Sequence, residues 1–216
     1  MTVDSPLDHE STPDGGPVLR QLYPELRAGG FSRADGSLLF YARVNALLSP
    51  EMTVLDFGAG RGRDAVDDPV AIRRELRVIK GKVAEVVGVD IDPVVKSNPS
   101  LDRALVVEED APLPFEDGSV DLIVSDFCFE HLRRPAFAAR ELTRVLRPGG
   151  WLCARTPNRW GYIGVGARLV PNRLHTPLLR RLQPARQAHD VFPTAYRLNT
   201  RHALREHFPP EAFIDV

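Results

Sequence analysis

Only two of the 216 residues are cysteine, Cys128 and Cys153, and they show neither metal-ligand nor disulfide spacing. A disulfide scaffold is excluded, and free thiols buried in apolar runs in a reducing compartment are expected. No run approaches the roughly 18 apolar residues of a membrane span, so no transmembrane segment is expected. The opening MTVDSPLDHESTPDGG lacks a basic region leading into an apolar one, so it does not read as a signal peptide. Together these absences predict a cytoplasmic protein. Net charge is also nearly absent, at −1, which argues against a globally basic nucleic-acid binder.

What is present fits one ordinary folded domain. Hydrophobic residues make up 43% and charged residues 26% of the chain, and the length suffices to bury a sizeable core. Residues 1–17, rich in Pro, Gly, Ser and Asp, read as a disordered arm. A helical region over 18–50 includes an apolar stretch from Ser37 to Leu48. Strands and helices then alternate through a core at 51–158. Strands are expected at Thr53–Phe57, Val83–Asp90, Ala104–Val107, Val120–Ser125 and Trp151–Thr156. Between the first two, Asp68-Pro69 looks like an N-cap and first helical residue, Ile72, Leu76 and Ile79 keep helical spacing, and Gly81 closes the helix. Ala138, Leu142 and Val145 form another helix face, ended by Pro148-Gly149-Gly150. A variable segment over 159–198 and a last helix with a partial strand over 199–216 follow. This alternation predicts an α/β fold: a doubly wound, mainly parallel, Rossmann-like sheet with helices on both faces, which binds ligands beyond the carboxyl ends of its strands.

LDFGAGRGRD, residues 55–64, falls at such an end. Its alternate glycines Gly58, Gly60 and Gly62 imply close approach of something to the backbone, whose amides can donate to a bound anion. A dinucleotide fingerprint would place its third glycine at Arg63 and an acidic residue about 20 positions on, whereas Asp90 comes 30 positions after Gly60. Both departures count against NAD.

Four stretches in order, VLDFGAGRGRD (54–64), VVGVDIDP (86–93), EEDAPLPFEDGSVDLIVSDFCFEHL (108–132) and ELTRVLRPGGWLCARTPN (141–158), resemble the class I S-adenosylmethionine-dependent methyltransferases, in particular the small-molecule type 11 branch. The resemblance implies S-adenosylmethionine as cofactor. It implies that Asp56 receives the cofactor's ammonium, that Gly58, Gly60 and Gly62 admit its methionine part, and that Asp90 accepts both ribose hydroxyls. Asp110 would take the adenine amino group and the Ala111 amide a ring nitrogen, with Ser125 and Asp126 beside the methyl. Asp92 reads as a helix cap before Pro93. At the glycine loop the chain departs from the family: Asp67-Asp68-Pro69 postpones the helix that normally follows the glycines, leaving Arg61 or Arg63 to meet the cofactor's carboxylate.

His131 is the candidate general base, because histidine titrates near neutral pH, with Glu130 and Asp126 to assist it. Some quinone-type relatives hold a divalent ion with such a group, but no metal is expected here. The signature of the family's amino-group methylators is replaced by Ser125-Asp126-Phe127-Cys128, which turns the expectation toward O-directed transfer to a small molecule. Residues 155–207 carry ten arginines against Asp190 and Glu206, which favours an anionic acceptor or, equally, an ordinary solvated face. Trp160, Tyr162, Arg159 and Arg197 are the candidate acceptor-binding residues, with Asn158 near the mouth.

The family sheet ends in an antiparallel strand pair, for which AFIDV at 212–216 provides one strand at most. Either the chain is shortened or another element covers the edge, and an open edge invites self-association. The competing function is a methyltransferase-like module that binds its ligand without turnover; an NAD-dependent oxidoreductase is the more distant alternative.

Overall fold

The structure, a computed structural model, describes residues 21–157 and 194–213. The 1–17 arm, most of the 159–198 segment and all but the first residues of the AFIDV stretch lie outside them.

Five strands, β1 (Thr53–Phe57), β2 (Glu85–Asp90), β3 (Arg103–Val106), β4 (Val120–Asp126) and β5 (Leu146–Arg155), form one parallel sheet in the order β3-β2-β1-β4-β5. The order reverses at β1, so the crevice opens beyond its carboxyl end. Alternate residues face opposite sides, as the two-residue strand period dictates. Val54, Val86, Leu122 and Val124 pack with Tyr41, Val44 and Ile79, while Leu55, Val89 and Ile123 pack with Leu142, Val145 and Leu198. Helix α1 (Gly36–Leu47) therefore covers one face, and α4 (Pro135–Val145) with α5 (Arg201–His207) covers the other. This is the doubly wound α/β architecture. Among the described residues no helix is long and apolar enough to cross a membrane, and both cysteines are free.

The helix expected to start at Asp68-Pro69 begins later, as α3 (Ala71–Arg77), and ends well before Gly81. Asp68 does not cap it in the expected register. Its Oδ1 accepts the Val70 amide at 2.9 Å, and its carboxylate is forked onto Arg73 at 2.8–3.0 Å. Nor is helix formation wholly postponed after the glycines: one turn, α2 (Arg63–Val66), follows Gly62 directly. The fifth strand starts at Leu146 rather than Trp151. Pro148-Gly149-Gly150 forms a bulge within it, where the register slips between Val120↔Leu146 and Leu122↔Trp151.

Helix α1 is tied to α3 through its own cap. Asp35 Oδ1 accepts the Ser37 and Leu38 amides at 3.0 Å each, and its Oδ2 pairs with Arg73 of α3 at 2.7 Å.

Candidate active site

A cleft of about 1240 Å³ opens at the carboxyl ends of β1, β2 and β4. Its volume exceeds the roughly 300–1,000 Å³ usual for a single small ligand, which leaves room for a cofactor and an acceptor together. Among the described residues it is lined by Asp56, the three loop glycines, Asp90, Ala111, Asp126, Glu130 and His131. These expected site residues therefore converge, although they come from the ends of four strands and the loops that follow them.

The glycine loop answers to three different constraints. Gly58, Gly60 and Gly62 all have left-handed φ, at 79°, 50° and 69°, which favours glycine at each. A Cβ on Gly58 would meet Cys128 Sγ at 2.5 Å, and one on Gly62 would collide with Asn98. A Cβ on Gly60 meets nothing within 4 Å, so Gly60 is the loop glycine that fronts open cleft. The loop is pinned from below: the Gly58 and Ala59 amides donate to Val89 O at 2.9 and 3.1 Å. Asn98 Nδ2 donates to the carbonyls of Ala59 and Gly60 at 3.0 and 3.2 Å. Asn98 is the support that the sequence reading missed, and nothing in its local sequence marks it.

Asp90 ends β2 with Oδ2 accepting the Gly60 amide and Oδ1 accepting the Asp92 amide, each at 2.9 Å. An ionised carboxylate offers about four acceptor sites, so capacity remains for two hydroxyls. Asp92 caps the following turn through Val94 N at 2.9 Å. Asp56 is different. Among the described residues no hydrogen-bond donor reaches its carboxylate. Burial first, then the neighbouring charges of Asp126 and Asp90, push its pKa up to about 7. It is a carboxylate waiting for a cation.

Three expected residues stand off the cleft lining. The Asp110 carboxylate is 53% exposed and pairs with Arg134 at 3.2 Å, while Glu108, Glu109 and Ala111 line the wall beside it. Ser125 is fully buried and donates to Phe57 O at 3.1 Å, tying β4 to β1. Arg197 donates to Arg133 O at 2.8 Å. Asn158, Arg159, Trp160 and Tyr162 lie outside the described residues.

At the end of β4, Asp126 is saturated. Arg155 grips it with bonds of 2.6 and 2.7 Å, Arg77 approaches at 3.3 Å, and Tyr41 Oη donates at 3.2 Å. Glu130, 5% exposed, accepts from Thr156 Oγ1 at 3.0 Å and stands 4.0 Å from His131 Nε2; its pKa is raised, mainly by burial. Among the described residues no cluster of three or more His, Cys, Asp or Glu side chains is placed to hold a metal ion.

S-adenosylmethionine fits this donor set: an unpartnered carboxylate for an ammonium, a strand-end carboxylate for a ribose, and a glycine whose missing Cβ opens the cleft. Residues 55–154 match the family model described as Methyltransferase domain. A stretch of 121 residues is 35% identical to the malonyl-[acyl-carrier protein] O-methyltransferase of Methylococcus capsulatus, covering 53% of this chain and 41% of that protein. A stretch of 137 residues is 28% identical to the demethylmenaquinone methyltransferase of Staphylococcus aureus, covering 54% and 55%. A solved S-adenosylmethionine-dependent methyltransferase of Aquifex aeolicus aligns at 23% identity with a TM-score of 0.44, covering 69% of this chain and 83% of that one. The chain spans between about a fifth and just over half the length of the curated relatives it matches. Residues 55–154 are a class I S-adenosylmethionine-dependent methyltransferase domain of the type 11 branch, and S-adenosylmethionine is its cofactor.

Proposed function

We propose that the chain transfers a methyl group to a hydroxyl oxygen of a small-molecule acceptor, with His131 as general base. The observation that carries the reading is the His131–Glu130 pair on the cleft wall, 4.0 Å apart. The relative named as an O-methyltransferase supports the choice of oxygen.

When bound, S-adenosylmethionine supplies a methyl group on a positively charged sulfur that becomes neutral as the methyl leaves. Asp56 would hold its ammonium, Asp90 its ribose hydroxyls and the Ala111 amide its adenine edge; Glu109, on the wall, is better placed than exposed Asp110 for the adenine amino group. His131 would accept the proton that the acceptor's hydroxyl gives up on methylation. Glu130 steadies the resulting imidazolium, an interaction that favours its own ionised form against the cost of burial. Asp126, neutralised by Arg155 and Arg77, acts as a positioning residue: it fixes the wall rather than moving a proton.

The described lining holds ten carboxylates and five arginines, a balance that suits a cationic cofactor and an uncharged acceptor. The argument for an anionic acceptor rests on arginines that fall mostly outside the described residues. Incubation with S-adenosylmethionine and a panel of hydroxyl, amine and carboxylate compounds, read as S-adenosylhomocysteine release, tests the proposal. Hydroxyl-dependent release supports it. Release with amines alone, or cofactor binding with no release, contradicts it, the latter favouring a non-catalytic module.

A further inference from the structure

Among the described residues two that are not glycine adopt a left-handed φ: Phe127 at 55° and Tyr196 at 49°. Both are aromatic and both line the cleft. Such a backbone strains a bulky residue and persists only where the surroundings over-determine it, a situation concentrated at functional sites. Glycine would hold either turn without strain. Backbone geometry alone therefore does not account for a ring at either place.

Nor does burial account for Phe127, which stays 48% exposed. Its amide donates to Arg155 O at 2.8 Å, and the Arg155 guanidinium lies 4.5 Å from its ring centroid. That guanidinium is immobilised by two bonds to Asp126 and one of 2.9 Å to Ser37 Oγ. One region of the ring is thus covered by a fixed cation, and the exposed remainder borders the cleft. Tyr196 is anchored to the residue that precedes the proposed base. Its amide and that of Ala195 donate to Glu130 O at 3.0 and 2.7 Å, and Glu130 immediately precedes His131.

From this we infer that Phe127 and Tyr196 are the acceptor-binding residues of the cleft, and that the acceptor is a planar aromatic alcohol, a phenol or fused-ring equivalent, whose ring packs on Phe127. The inference rests on the O-directed reading above and adds the substrate class to it. Rigid rings of fixed orientation select flat partners through offset or edge-to-face packing. The guanidinium behind Phe127 withdraws π density from its open side, which favours an electron-rich ring such as that of a phenol. The acid-rich lining disfavours an acceptor carrying its own carboxylate.

The test is calorimetric titration of the S-adenosylhomocysteine-saturated protein with 2-naphthol and with its saturated, non-planar analogue decahydro-2-naphthol. Wild type is expected to bind the flat probe about tenfold more tightly. Phe127→Gly, which removes the ring and relieves the backbone, is expected to lose that preference while keeping its affinity for S-adenosylhomocysteine within about threefold and its Tm undiminished. Phe127→Leu, which retains apolar bulk, should lose the preference as well. Equal affinity for the two probes, no saturable 2-naphthol binding to the saturated wild type, or an unaltered preference in both variants overturns the inference. Absence of S-adenosylhomocysteine binding by wild type overturns the cofactor site instead, so the two failures are distinct.

Discussion

The Gly60 amide donates to Asp90 Oδ2 at 2.9 Å. Through this bond the ligand-facing glycine of the loop and the carboxylate that ends β2 are positioned together, and what disturbs one disturbs the other. Asp90→Ala removes both the ribose acceptor and the tie to the loop. At about 1.5–3 kcal/mol for a charge-assisted hydrogen bond, S-adenosylhomocysteine affinity should fall by at least about tenfold. Calorimetry on the folded variant checks this, and unchanged affinity contradicts the role of Asp90.

The three glycines should separate experimentally. Gly60→Val should fold and lose cofactor affinity: its side chain enters open cleft, and only the strain of its left-handed φ lowers Tm. Gly58→Ala and Gly62→Ala should lower Tm by strain and collision together while their methyl groups stay out of the cleft, since those methyl groups meet Cys128 and Asn98. Thermal melts beside titrations decide it; a Gly60→Val protein that binds normally shows that the glycines serve turn geometry alone.

Much of the fold was legible because its signals are local. Buried strands announce themselves as Val/Leu/Ile runs, and α4 as apolar residues at helical spacing. What was not legible depends on partners distant in sequence. Gly62 is required by Asn98, Gly58 by Cys128 and the state of Asp126 by Arg155, and no spacing rule connects these pairs. The misplaced start of α3 has the same cause: a sequence reader sees Asp-Pro as a cap, whereas tertiary ties to Arg73 and through it to Asp35 decide where Asp68 points. Asp110 was named through the family resemblance; its carboxylate stands 53% exposed and pairs with Arg134, while Glu109 lines the cleft.

Asp56 should make the protein's stability and its cofactor binding depend on pH. Its folded pKa of about 7 lies above the unfolded value of about 4. The raised value favours folding fully below pH about 4, and that contribution is lost as pH rises through about 7. The melting temperature of the free protein should therefore decline over this range more steeply than that of Asp56→Asn. An ammonium brought against Asp56 favours its ionised form, so binding at pH 6 should release a proton. Calorimetric heats in phosphate and in imidazole should then differ; identical heats contradict the assignment.

For His131, the expected loss is in turnover rather than binding. His131→Ala should lower kcat with a hydroxyl acceptor by roughly 10² to 10⁴ and leave S-adenosylhomocysteine affinity intact. Full kcat in the variant, or turnover that requires an added divalent ion, shows that the proton leaves by another route.

The most direct measurement is a titration of the wild-type chain with S-adenosylhomocysteine, followed by the same titration with NADH. The account predicts one saturable site for S-adenosylhomocysteine, weakened in Asp90→Ala and lost in Gly60→Val, and no such site for NADH. No saturation by S-adenosylhomocysteine up to about 1 mM, an affinity weaker than about −4 kcal/mol, would contradict it.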